Sequence, residues 1–149
     1  MAKYSVVLAR TASATLAVGN VISNATTAHR LKLFRLHFGA SGTPADTAFL
    51  VQLQHCTTAG TSTAVTPQKL DPGDRVAQAT AGENHTVDPT LTANAIPFSQ
   101  GCHTRNAINL FLGPGYEIVT PATASNGLAL RTPTAGSLIA VNATLHYEE

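Results

Sequence analysis

The chain has 149 residues, enough for one domain with a real core and not for two. Only 11% of the residues are charged and the net charge is +1, so composition offers no electrostatic footprint for nucleic acid or for an anionic membrane. Ala and Thr supply close to a third of the chain while Glu and Lys are scarce, which disfavours helices and leaves a surface of small uncharged side chains suited to packing against neighbours.

No window carries a helical stripe. Short runs rich in Val, Ile, Leu, Phe and Tyr are instead cut about every ten residues by Gly, Pro, Asn or Asp, the rhythm of a sandwich or barrel. The first run, residues 4–9, is too short for a signal core or a membrane span, so the chain is read as made and kept in the cytoplasm unless an assembly carries it out. Strands are predicted at 4–9 and 15–22, then at 30–38 after a polar break. That third run breaks the alternation: Leu31 and Leu33 share a face that Phe34, Leu36 and Phe38 do not. A β-bulge near Leu33, or a strand covered on both sides, would each account for it.

Residues 49–56 alternate cleanly, with Phe49, Val51 and Leu53 on one face. Residues 57–94 read as a long irregular loop, of the kind that reaches a neighbour in an assembly. Further strands are predicted at 95–99, 107–112, 116–120 and 128–131. The last, 137–147, puts Ile139, Val141, Ala143, Leu145 and Tyr147 on one face and Asn142, Thr144 and His146 on the other. The expected fold is all-β: an antiparallel, jelly-roll-like sandwich of eight or nine strands with long loops. It forms a single domain over 1–149, with residues 1–12 as an extended arm or an edge strand.

Chemistry-bearing constellations are thin. Cys56 and Cys102 are too few for a disulfide scaffold; two buried free thiols is the plainer reading, and their pairing stays open. There is no Gly-x-Ser-x-Gly elbow and no catalytic signature around either Cys, so no enzymatic activity and no cofactor are expected. His55 and Cys56 are adjacent on a strand and point to opposite faces, while His29, His37 and His85 lack a partner at ligand spacing, so no metal is expected. Asp71-Pro72-Gly73-Asp74 reads as a type II turn by its Pro-Gly centre rather than as a calcium loop. The Asn-x-Thr triplets at Asn24, Asn84 and Asn142 are what an Asn- and Thr-rich chain contains by chance.

One stretch carries a family likeness. Leu70-Asp71-Pro72-Gly73-Asp74, then Ala77-Gln78-Ala79-Thr80-Ala81 and Asn84-His85-Thr86, resembles a stretch of small structural proteins of tailed phages, the capsid decoration or cement type. The basic-apolar run 30–38, the Ser/Gly/Thr/Asp loop 40–47 and the ending Asn142-Ala143-Thr144-Leu145-His146-Tyr147-Glu148-Glu149 extend the likeness from about residue 28 onward. The resemblance implies a virion protein on the outer capsid surface, made in the bacterial cytoplasm. Its partner would be the major capsid protein, and it would form a homotrimer without contacting nucleic acid or membrane. A head-tail, tail or fibre-base station is the alternative, and a carbohydrate-binding jelly-roll module is a third. The residues expected to carry an interface are Arg30, Lys32, Arg35, Leu70, Asp71, Asp74, Arg75 and Arg105.

Overall fold

The computed structural model describes residues 1–43, 46–133 and 139–149. Among them are twelve strands and no helix: β1 (Lys3–Thr11), β2 (Gly19–Ile22), β3 (Lys32–Ala40), β4 (Ala48–Cys56), β5 (Thr61–Val65), β6 (Gln68–Lys69), β7 (Thr80–Val87), β8 (Phe98–His103), β9 (Ile108–Phe111), β10 (Ile118–Val119), β11 (Gly127–Arg131) and β12 (Ala140–Glu148). They form two antiparallel sheets. Sheet A runs β10-β3-β12-β1-β6, with β9 sharing the β10 side of β3, and sheet B runs β5-β7-β2-β11-β4-β8. The chain changes sheet at each step from β1 to β4.

One apolar core lies between the sheets, built by period-two alternation from both. Tyr4, Val6 and Leu8 of β1 and Val141, Ala143, Leu145 and Tyr147 of β12 face Val51 and Leu53 of β4 and Leu128 and Leu130 of β11. Each large aliphatic side chain buried this way contributes about 1.5–3 kcal/mol. Packing is close: the void bounded by Val21, Leu31, Leu33, Leu128, Leu145 and Tyr147 is about 10 Å³, at most the room of a single water centre.

The broken alternation of the third run is a bulge. His146 of β12 faces Arg35 and the next residue, Tyr147, faces Leu33, so Phe34 is the extra residue. The slip returns Leu36 and Phe38 to the face of Leu31 and Leu33, and all four are buried.

The structure corrects several other expectations. Residues 57–94 are not one irregular loop but carry β5, β6 and β7. Residues 1–12 are no detached arm. β1 pairs with β12 through nine residue pairs, and only its far side approaches an edge, where two-residue β6 covers Tyr4 and Ser5. The second strand begins at Gly19 rather than 15, and the strand expected at 95–99 lies at Phe98–His103. The strand expected at 137–147 begins at Ala140; residues 137 and 138, like 44 and 45 of the loop after β3, fall outside the described residues.

The segments flanking β5 and β7 also fold over the outside of sheet B. Cys56, Ala129 and Ile22 point away from the main core and are buried beneath Ala59 and Leu91. The outer face of sheet A has no such cover among the described residues.

Candidate interaction surface

Alternation places Lys3, Ser5 and Val7 of β1, Asn142, Thr144, His146 and Glu148 of β12, and Asn109 and Phe111 of β9 on the open face of sheet A. The bulge adds two consecutive outward residues, Phe34 and Arg35, because the extra residue breaks the in-out order. Phe34, His146 and His37 form an aromatic row: the Phe34 and His146 rings are 6.1 Å apart, and His37 meets His146 edge-on at 5.8 Å. The Lys3 ammonium sits 5.6 Å from the centre of the Phe34 ring, a cation–π contact. Lys32 pairs with Glu148 at 3.6 Å. Two large apolar side chains stand in solvent on this face, Phe111 at 69% and Val7 at 51% exposure.

Burial pulls the His146 imidazole below its usual value, and the neighbouring His37 and Arg35 add to the effect. Phe34, His146 and His37 thus form an aromatic strip bordered by Lys3 and Arg35. On one side of it a cleft of about 200 Å³ is lined by Lys3, Phe34, Phe111 and Pro114. On the other a cleft of about 370 Å³ is lined by the polar side chains His37, Asn109, Asn142 and Thr144 and by apolar Phe38, Ala40, Ala107 and Ile108.

The sequence-predicted interface residues divide. Lys32 and Arg35 lie on the open face, and exposed Arg30 just precedes them. The 70–75 turn sits beside β1 at the far edge, where the Leu70 amide donates to the Lys3 carbonyl (2.9 Å) and the Lys3 amide approaches Asp74 Oδ2 (3.4 Å). Within the turn the Asp74 amide donates to the Asp71 carbonyl (3.0 Å) and the Gly73 amide to Asp71 Oδ1 (2.8 Å). Gly73 does not take a positive φ, so the turn is not type II as its Pro-Gly centre suggested. The Asp71 side chain holds the alternative by accepting from the backbone two residues on. Lys69 donates to the Pro72 and Asp74 carbonyls, and Arg75 offers its carbonyl to the Tyr4 hydroxyl (3.0 Å). Asp71 and Asp74 thus both support backbone, while Leu70 is 47% exposed. Arg105 is not brought to either group; it lies past β8 and pairs with Asp46 (3.6 Å), which also meets His103 (3.0 Å).

Sequence reasoning missed Val7, Phe34, His37, Phe111 and His146 as members of one surface. The polar face of β12 was visible, but the meeting of His37 and His146 depends on the β3–β12 register, which no local pattern encodes.

The two cysteines are free and buried. Burial pushes the Cys56 thiol up to about 12 and raises that of Cys102, the opposite of an activated nucleophile. Among the described residues no three His, Cys, Asp or Glu side chains gather as a metal would need. No family model matches the chain, and neither a curated protein nor a solved structure is similar to it.

Proposed function

We propose that the protein is a capsid decoration protein of a tailed phage, which binds the major capsid protein and stabilises the head. The open face of sheet A supports binding: exposed Phe111 and Val7, an aromatic row and flanking cations combine the apolar and cationic groups that protein interfaces favour. The phage assignment rests on the likeness of the stretch from Leu70 to Asp74 and its companions to that class of protein. The strand order supports a jelly-roll reading as well. β1-β12-β3-β9 and β2-β11-β4-β8 follow the order of the two four-stranded sheets of a double Greek key, with β5–β7 inserted between the fourth and fifth of its eight strands.

The test is addition of purified protein to expanded, undecorated heads, followed by sedimentation and cryo-electron microscopy. Stoichiometric binding over the shell, with sheet A against it, is the expected result. A few copies at one vertex would move the protein to a head-tail or tail station, and no binding would overturn the proposal. The cleft that holds Asn109, Asn142 and Thr144 favours a second reading, a carbohydrate-binding module, because neutral amides and hydroxyls beside apolar side chains suit sugar rings and their hydroxyls. Tyr4 and Tyr147 are buried and only Tyr116 is exposed as a tyrosine platform, so reproducible glycan-array binding is the observation that would establish it.

A further inference from the structure

Three of the four sheet edges are closed to pairing. In sheet A, β6 has two residues, with Pro67 before it and Pro72 after it, and the free side of β1 is capped where the Ala9 amide donates to Glu83 Oε2 (2.6 Å). At the other edge β9 and β10 are short and separated by Gly113-Pro114-Gly115. In sheet B, β5 meets β7 with an irregular register between Thr61 and Thr63. The remaining edge, β8, is regular over six residues and carries no Asp, Glu, Lys, Arg or Pro.

The phase of its hydrogen bonding is fixed. The Thr104 amide donates to the Thr47 carbonyl (3.0 Å), so in this register Phe49/Cys102 and Val51/Gln100 are the hydrogen-bonded pairs. The amides and carbonyls of Ser99 and Gly101, and the amide of His103, therefore point away from β4. The His103 carbonyl is already taken by the Asn106 amide (2.8 Å), and Pro97 offers no donor, so these two residues bound the free edge. Ser99, Gln100 and Gly101 are all exposed, and a Cβ at Gly101 would meet nothing within 4 Å.

We propose that β8 is a self-docking edge: the β8 of a second copy of this chain adds to it antiparallel, with the two Gly101 residues facing across a two-fold axis. The free groups are self-complementary in that register. Each Gly101 amide meets the other Gly101 carbonyl, and each His103 amide meets the carbonyl of the opposing Ser99, giving about four hydrogen bonds and a sheet continuous through both copies. Gly101 at the centre leaves no side chains to collide. This contact rests on no part of the capsid proposal and departs from the trimer that the family resemblance implies.

Sedimentation equilibrium of the whole chain over a micromolar dilution series tests it, with Gly101→Lys and Ser99→Pro as the variants. Gly101→Lys enters open space in the single molecule but sets two ammonium groups against each other at the axis. Ser99→Pro touches no bond to β4, and its ring carbons, standing where the outward amide hydrogen was, project from the free edge into the opposing strand. The expected result is a wild-type dimer whose dissociation constant rises at least about tenfold in each variant, with the melting temperature of the Gly101→Lys chain unchanged. A monomeric wild type, a trimer, or a dimer indifferent to Gly101→Lys would overturn the proposal.

Discussion

Protonation of His85 should loosen the fold in mild acid. His85 is 1% exposed, and the Arg10 guanidinium donates to both its carbonyl and that of Ala17 (2.8 Å each). Burial lowers the imidazole pKa. The Val87 and Gly82 backbone, close to the ring without completing a hydrogen bond, and Asp88 oppose that shift in part, while Arg10 adds to it. A histidine whose folded pKa is depressed binds its proton preferentially in the unfolded chain, so its contribution is intact above the ordinary value of about 6.5 and falls away as pH drops below it. A folded ring neutral throughout from pH 7 to 5.5 sets the upper limit of this linkage at about 1 kcal/mol. For a domain of this size that is up to about 2–4 °C in Tm. His55 and His146 are shifted the same way, so the informative quantity is a difference. Calorimetry of wild type and His85→Gln at the two pH values should show the variant losing less on acidification, by up to about 1 kcal/mol. An equal loss in both proteins would refute the assignment to His85.

Other outcomes follow from packing and from the open face. Leu145→Ala empties the wall between the sheets and should cost about 2–5 kcal/mol in chemical denaturation, with loss of cooperativity if the sheets separate. Asp71→Ala removes the acceptor that holds the 71–74 turn and should cost about 0.5–2 kcal/mol, most of it recovered by Asp71→Asn, so hydrogen exchange at Gly73 should separate the two variants. Phe111→Ser should leave the melting temperature within about 1–2 °C of wild type yet weaken binding to undecorated heads about tenfold or more, read from occupancy in a titration.

Much of the framework was legible because burial on one face writes alternation into the chain. β4 and β12 could be read residue by residue, since Phe49, Val51 and Leu53, and Val141 to Tyr147, reach the core at every second position. Even the irregularity of β3 was visible as a broken pattern, and the structure chose the bulge over double cover. What hid β5 and β7 is their content: Thr61–Val65 and Thr80–Val87 are made of small and polar residues whose strand state is set by neighbours, not by propensity. The open face was illegible for a related reason. Val7 and Phe111 look alike in a sequence whether they sit in a core or in water, and His37 and His146 are joined only by register. The acidic turn shows the reverse failure. Asp71 and Asp74 stood out as a motif, and both turn out to be committed to holding backbone.

The bulge at Phe34 makes β3 a phase shifter. Residues before and after it count in different frames, so a change in length is tolerated at the bulge and nowhere else in the strand. Deleting Phe34 or Arg35 would restore strict two-fold counting with Leu31, Leu33, Leu36 and Phe38 all still inward, whereas a deletion elsewhere in the strand would turn core residues out into water, an error no single side chain could repair. A single deletion in this strand should therefore persist only between Leu33 and Leu36, while the neighbouring β12, whose own residues count in one frame from Val141 to Tyr147, records the phase against which it is judged.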